Sequence, residues 1–235
     1  MTVNIKPFLT AYDPSDLPGV SMDPLGFEQG YLFLADKILP GMTVVANCPR
    51  YFSLLCAGAL LAGNLQPLPE KKQREQRQEV ILRLERLWAL ANALAFEEDQ
   101  PRLRGLRGIS YAVRQCAWLE EKGADQADAD FKLLARQTAY GALGIYGNVA
   151  ERVKLIYSKT LEAMPATGEP LGLAFQKETG IPDAVKEAVL DERARVDIRE
   201  LRSWGVRAHL WGKTKSGESL YLREALKADP IRAQV

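Results

Sequence analysis

The stretch VKLIYSKTLEAMPATGEPL, residues 153–171, decides the predicted fold. A β-prone run, Val153 to Tyr157, leads through the polar turn Ser158-Lys159-Thr160 into a second short run, Leu161 to Pro165. Two short apolar runs around a polar turn are typical of a β-hairpin. One helix is predicted before the hairpin, from Phe131 to Tyr146, and another directly after it. The middle of the chain is therefore expected to run helix, hairpin, helix.

Length and composition are those of an ordinary globular protein. The chain has 235 residues, enough for one large or two small domains with a buried core. It is 47% hydrophobic and 26% charged, both common values. Its formal net charge is +1, so attraction to a polyanion must come from local patches of charge.

Cysteine usage and hydropathy favour a cytoplasmic protein with no membrane partner. Cys48, Cys56 and Cys116 are an odd set in a long chain, which argues against a disulfide framework. The longest apolar run, Tyr51 to Ala62, is shorter than the roughly 20 residues that cross a bilayer. Met1 to Thr10 lacks the basic-then-apolar order of a secretory signal.

The N-terminal part is predicted to be helical. Pro49 and Gly63-Asn64 bound a helix that is apolar on nearly every face and should lie in the core. The next helix, Glu70 to Glu97, begins with a wholly polar half, Glu70 to Glu79, which we expect to project into solvent or along a partner.

The C-terminal part is predicted to be helical as well. Asp197 is expected to cap a helix that ends at Gly205. Val206 to Trp211 are expected to be extended, and Glu218 to Ala228 to form a last helix.

The helix, hairpin, helix order of residues 128–180 resembles a winged helix, whose two-stranded wing commonly contacts nucleic acid or a partner protein. The expected fold class is mainly α. It has a helical N-terminal domain (1–100), a winged-helix-like domain with one β-hairpin (101–180) and a helical C-terminal region (181–235).

Two N-terminal segments, Asp23-Pro24-Leu25-Gly26 and Asn47-Cys48-Pro49-Arg50-Tyr51-Phe52-Ser53, carry a second resemblance. They look like segments of uncharacterised bacterial proteins associated with phage-defence or mobile-element gene clusters. Those proteins also tend to carry a segment similar to Met164 to Glu169. The resemblance implies no established activity, but it implies an antiviral or mobile-element setting.

Motifs for catalysis or cofactor binding are incomplete. His209 is the single histidine, and no CxxC pair or GxSxG elbow accompanies it, which argues against zinc and triad chemistry. The spacing Gly141, Gly144, Gly147 lacks the GK[ST] of a phosphate loop and favours close helix packing or a bend. We expect no catalytic residue, no metal and no cofactor.

A metal-dependent nuclease is the one enzymatic alternative. Glu120-Glu121-Lys122 supplies the E-x-K part of such a signature, with Asp99 as an upstream carboxylate. Those residues belong on adjacent strands, however, and Glu120 ends a strongly helical run. Helix capping also explains Asp125, Asp128 and Asp130 more simply than a cation site does.

Positive charge gathers in two patches and at the hairpin. Between Gln100 and Leu119 there are arginines and no acid, and two glycines there allow close backbone approach to a phosphate. A second patch, from Arg193 to Lys215, mixes cations with aromatic rings, which suits single-stranded nucleic acid or a protein partner. The candidate binding residues are Arg102, Arg104, Arg107, Arg114, Arg152, Lys154, Lys159, Arg199, Arg202, Trp204 and Trp211.

Three functions remain open from the sequence. The first is a non-enzymatic nucleic-acid-binding subunit, for DNA or RNA, of a bacterial defence or mobile-element complex. The second is a helical adaptor whose polar arm (Glu70 to Glu79) and aromatic C-terminal patch dock other protein subunits. The third is a nuclease that uses Glu120 and Lys122.

Overall fold

The computed structural model describes residues 27–38, 46–65, 69–97, 99–212 and 216–234. The predicted mainly α fold is confirmed. Its helices are α1 (Phe27–Ile38), α2 (Arg50–Gly63), α3 (Glu70–Ala95), α4 (Ile109–Glu121), α5 (Gln137–Tyr140), α6 (Ala142–Arg152), α7 (Gly168–Thr179), α8 (Asp183–Leu190), α9 (Ile198–Arg207) and α10 (Ser216–Lys227). Asp23 to Gly26 lie outside the described residues.

Helices α2 and α3 form the centre of the molecule and pack against each other. Almost every residue of α2 is buried, as its all-round apolar pattern predicts. Helix α7 covers another face of α2, and α9 covers a face of α3. This arrangement places one continuous apolar core around two neighbouring helices.

The polar first half of α3 extends from this core only at its beginning, because residues 76–79 are partly or fully buried. Glu70, Lys71 and Lys72 are exposed, whereas Val80 to Leu94 line the core. Arg77 is an exception within the polar half, because it is buried and donates to the carbonyl of Thr160 at 3.1 Å. The polar half of α3 therefore also anchors the turn of the hairpin.

Both main helix crossings contain a glycine at the point of closest approach. A Cβ atom on Gly172 of α7 would lie 2.8 Å from the carbonyl carbon of Cys56 in α2. A Cβ atom on Gly205 of α9 would lie only 1.9 Å from the carbonyl oxygen of Ala91 in α3. Any side chain at these positions would push the helices apart.

The predicted hairpin is present as a tight reversal with one antiparallel bridge between Ile156 and Ala163. The amide of Tyr157 donates to Glu162 O at 2.9 Å, and that of Met164 donates to Leu155 O at 2.8 Å. The paired strands lie elsewhere: β1 (Gln126–Ala127) and β2 (Val196–Asp197) are antiparallel and far apart in the chain. The likeness of residues 101–180 to a winged helix stays a prediction.

Two local predictions are wrong. Phe131 to Tyr146 is not one helix, because helix begins only at Gln137 and breaks at Gly141 between α5 and α6. Gly205 does not end α9, which continues to Arg207, and the residues after it turn instead of extending. The division into domains at residues 100 and 180 stays a prediction, and all three parts contribute to the same buried cluster.

Gly205→Ala is expected to lower the free energy of unfolding by about 2–3 kcal/mol, since the added methyl overlaps the backbone of Ala91. For a chain of this length that corresponds to a fall of roughly 4–12 °C in Tm. Differential scanning calorimetry measures it. Gly63→Ala is the matched control, because no atom lies within 4 Å of a Cβ at Gly63. Equal melting temperatures for the two variants would contradict the close crossing.

Candidate functional site

Residues 102–108, here called the arginine loop, connect the region after α3 to α4. Two glycines in it adopt left-handed backbone conformations, Gly105 with φ of 89° and Gly108 with φ of 73°. A Cβ on Gly108 would lie 2.5 Å from the carbonyl oxygen of Leu133, and one on Gly105 would lie 3.3 Å from Cys48 Sγ. These glycines let the loop approach the rest of the protein closely.

Three side chains from distant parts of the chain hold the arginine loop. The amide of Arg107 donates to the Tyr51 hydroxyl at 2.7 Å. Trp211 Nε1 donates to the carbonyl of Arg104 at 2.6 Å. His209 Nε2 lies 2.8 Å from the carbonyl of Arg102. Because a carbonyl only accepts, Nε2 of His209 carries the proton in this contact.

Two of these side chains, His209 and Trp211, border an open groove of about 510 Å³, here called the aromatic groove. The rings of Phe96 and His209 lie 4.3 Å apart between centroids, and the Arg102 guanidinium lies 5.3 Å above the Phe96 ring. The side chain of Trp211 is 54% exposed. Burial lowers the pKa of His209, which favours its neutral form. The groove is lined by Phe96, Pro101, Arg102, Val206, His209, Trp211 and Gly212.

A second exposed ring lies near Arg107 of the arginine loop. Tyr140, at the end of α5, is 53% exposed. The Arg107 guanidinium donates to its carbonyl at 3.4 Å, and the Arg136 guanidinium lies 5.7 Å over its ring. The arginine loop therefore has an exposed aromatic side chain near Arg104 and another near Arg107.

The structure brings together part of the predicted binding set. The backbone carbonyls of Arg102 and Arg104 accept hydrogen bonds from His209 and Trp211, so the two patches predicted from separate stretches join at the arginine loop. Arg114 is exposed on α4, with its guanidinium 4.8 Å over the Tyr111 ring.

The hairpin cations form a separate group. Arg152, Lys154 and Lys159 are all exposed near a turn that Arg77 anchors. Arg77 precedes Phe96 by 19 residues of α3 and its cap, which is about 28 Å along a helix axis. The hairpin and the aromatic groove therefore contact distant parts of α3.

The predicted binding residues of the C-terminal part lie in different environments, some exposed and one buried. Arg199 forms an ion pair with Asp197 at 2.9 Å, and Arg202 is exposed on the same helix. Trp204 was expected at the surface, but it is fully buried, with Nε1 3.4 Å from Thr179 Oγ1. It packs in the core and is removed from the candidate binding residues.

Sequence reasoning missed Phe96, Arg136 and Tyr140. The Arg136 and Tyr140 pair has an i, i+4 spacing, which places two side chains on one helical face and is a usable signal. Phe96 carried no such signal, because it follows the last turn of α3 and meets His209 only through the tertiary fold.

The described part of the chain contains no group of three His, Cys, Asp or Glu side chains arranged to hold a metal ion. Asp99, the upstream carboxylate of the nuclease hypothesis, forms an ion pair with Arg102 at 2.7 Å. Within the same ranges, no helix has the length and apolar content that crossing a bilayer requires.

Comparison of the chain with protein-family models, curated proteins and solved structures finds no match. The functional assignment therefore depends on the residues and geometry described above.

A buried carboxyl group, that of Glu85, lies close enough to Arg107 of the arginine loop to feel its charge. Glu85 of α3 is 1% exposed; its Oε1 accepts from the amide of Ala142 at 2.7 Å, and its Oε2 accepts from Gln137 Nε2 at 2.8 Å. It thereby caps the first turn of α6. Burial raises the pKa of Glu85 to about 7, against the lowering effect of those hydrogen bonds and of the charges on Arg107 and Arg86.

The raised pKa of Glu85 predicts a pH-dependent stability. Its ordinary value is 4.5, so the folded state binds the extra proton between pH 4.5 and about 7. The contribution of Glu85 to the free energy of unfolding should therefore fall as pH rises through this window, by up to about 3 kcal/mol. Urea unfolding across the window should show a shallower pH slope in Glu85→Gln.

The control for this experiment is Glu75→Gln, which changes an exposed glutamate of the same helix. That variant should keep the slope of the wild-type protein. If Glu85→Gln and the wild type have the same slope, Glu85 does not titrate as its burial implies.

Proposed function

We propose that this protein binds nucleic acid, DNA or RNA, through the arginine loop, as a non-enzymatic subunit of a bacterial defence or mobile-element complex. The observation that carries the proposal is the meeting of two patches remote in sequence. The backbone carbonyls of Arg102 and Arg104 accept hydrogen bonds from His209 and Trp211, so the cations of the loop and the exposed Trp211 ring share one surface. Arginine beside aromatic rings is a common surface for nucleic acid.

Local charge supports phosphate contact although the whole chain has a net charge of only +1. Three arginines lie within six residues of the loop. Asp99 pairs with Arg102, but both side chains are about half exposed. Such a surface pair is worth only about 0–1 kcal/mol, so a phosphate can replace the carboxylate at little cost.

The loop is also held in place before any ligand arrives. Left-handed glycines and the hydrogen bonds from Tyr51, His209 and Trp211 fix its backbone. A fixed loop loses less conformational entropy on binding than a mobile one. Its arginines can therefore contact phosphates without first ordering the chain.

The hairpin cations Arg152, Lys154 and Lys159 extend the proposed surface. The hairpin turn contacts Arg77, which lies about 28 Å along α3 from Phe96, so one ligand would need roughly eight nucleotide steps at duplex spacing to reach both regions. The winged-helix likeness of this region is consistent with such a contact and belongs to the proposal. So does the cytoplasmic location, which the three buried free cysteines support.

Salt titration tests the proposal. We expect fluorescence anisotropy to show binding to DNA or RNA whose log affinity falls linearly with log salt. Arg102→Ala/Arg104→Ala/Arg107→Ala should reduce the magnitude of that slope by about 2–3, since each lost phosphate contact removes roughly 0.7–0.9.

The matched control is Arg74→Ala. Arg74 is exposed on α3, about 33 Å along the helix from Phe96, and its loss should leave unchanged the part of the slope that the arginine loop contributes. Absence of binding at low salt, or equal slopes for the triple variant and the wild type, would refute the proposed function.

A helical adaptor is the second candidate, and α1 is the observation that favours it. Phe27, Tyr31, Leu34 and Ile38 follow helical spacing along one stripe, and each is at least 59% exposed. Contiguous exposed apolar side chains are typical of a protein interface.

If α1 docks another subunit, a stoichiometric partner should co-purify with the wild-type protein and be lost in Leu34→Glu. The control is Leu173→Glu, which changes a comparably exposed leucine on α7. Loss of the partner in both variants, or in neither, would count against α1 as the docking element.

A further inference from the structure

We infer that the aromatic groove holds one unpaired nucleobase, so that the preferred ligand is a single strand. This inference rests on the proposed function, and it names the chemical group that the groove recognises. The groove volume of about 510 Å³ lies within the range of small-molecule sites, about 300–1,000 Å³.

The shape of the groove suits a flat ring. Trp211 is fixed at one edge by the bond from Nε1 to Arg104 O, and its Cζ2 atom packs over Gly105. More than half of its side chain remains exposed toward solvent. Phe96 and His209 also line the groove, and burial lowers the pKa of His209, which favours its neutral form. A base can therefore lie against the exposed ring of Trp211, beside Phe96 and its neighbouring groups.

The positive charge at the edge of the groove favours a nucleotide over uncharged flat or apolar ligands. The Arg102 guanidinium lies over Phe96, and its side chain is 56% exposed. Arg104, two residues away, is exposed as well. A nucleotide places a phosphate beside its base, which matches a cation beside an aromatic wall. A proline-rich segment would use the rings but not these cations.

A single strand fits this arrangement better than a duplex. In a duplex, each base is stacked on its neighbours and paired, so its faces cannot reach Trp211 without unstacking. An unpaired base has both faces available, and every base has such a face. We therefore expect weak sequence preference and a clear preference for single strands over duplexes.

Comparing normal with abasic oligonucleotides measures the contribution of the base to binding. Such strands keep the phosphates and lose the rings, so the two ligands differ only in the group that the groove is inferred to hold. Stacking of a base contributes roughly a 5- to 150-fold gain in affinity. A short single-stranded oligonucleotide should bind tighter than its abasic counterpart by a factor in this range.

Tryptophan fluorescence reports the contact directly. All four tryptophans lie among the described residues: Trp88 and Trp204 are buried, and Trp118 and Trp211 are exposed. In a Trp118→Phe background, the oligonucleotide should quench the emission of Trp211, and the abasic strand should not.

Two substitutions separate stacking from loop support. Trp211→Ala should abolish the difference in affinity between the two strands. Trp211→Phe keeps a ring but loses the N–H that donates to Arg104, so it should keep most of that difference. Equal loss in Trp211→Phe would show that Trp211 only holds the loop, and would overturn the inference. Circular dichroism melts check that both variants fold.

The outcomes distinguish this inference from the proposed function. Equal, salt-dependent binding of normal and abasic strands would refute the base-holding groove and leave nucleic-acid binding intact. No binding of either strand at low salt would refute both. Quenching of Trp211 by a proline-rich peptide, without quenching by oligonucleotides, would assign the groove to a protein ligand instead.

Discussion

The hydrogen bond from the Arg107 amide to the Tyr51 hydroxyl joins the core of this protein to its candidate binding surface. The ring of Tyr51 is fully buried, stacked on Tyr146 at 4.6 Å and edge-on to Trp88 at 5.1 Å. Its hydroxyl reaches out of this aromatic cluster to the backbone of the arginine loop. Because the ring has no freedom in a close-packed core, the position of the loop is set by the packing of α2, α3 and α6.

This contact between the core and the arginine loop helps to fix the conformation of the candidate binding surface. A loop of arginines with two glycines would sample many conformations if it were unattached. Here left-handed glycines approach Cys48 and Leu133, and side chains from residues 209–211 bond its carbonyls. The remote α3–α9 crossing matters to the surface for the same reason: α9 leads directly into His209 and Trp211, and Gly205 sets how closely α9 approaches α3.

Charge alone does not define the surface. The molecule is almost neutral, and several of its cations have structural partners: Arg77 anchors the hairpin, and Arg50 forms a buried ion pair with Glu218. Others lie beside carboxylates, as Arg199 does. The arginine loop differs because exposed aromatic side chains contact it, Trp211 at Arg104 and Tyr140 at Arg107. Rings and guanidinium groups together offer contacts to both bases and phosphates, which neither group offers alone.

The sequence by itself determined the local elements whose signals are periodic or covalent. Side-chain pattern and backbone restriction account for four elements. These are the apolar helix α2 that follows Pro49, helix α3 with its polar first half and apolar second half, the cap at Asp197 and the chain reversal at residues 153–165. Only the tertiary structure decided which glycine ends a helix and which lies inside a crossing, and that Trp204 is buried while Trp211 is exposed. These differences depend on which helix packs on which, and local propensity carries no information on contacts between residues a hundred positions apart. The same reason explains why the two predicted patches were known separately and their meeting at the arginine loop was not.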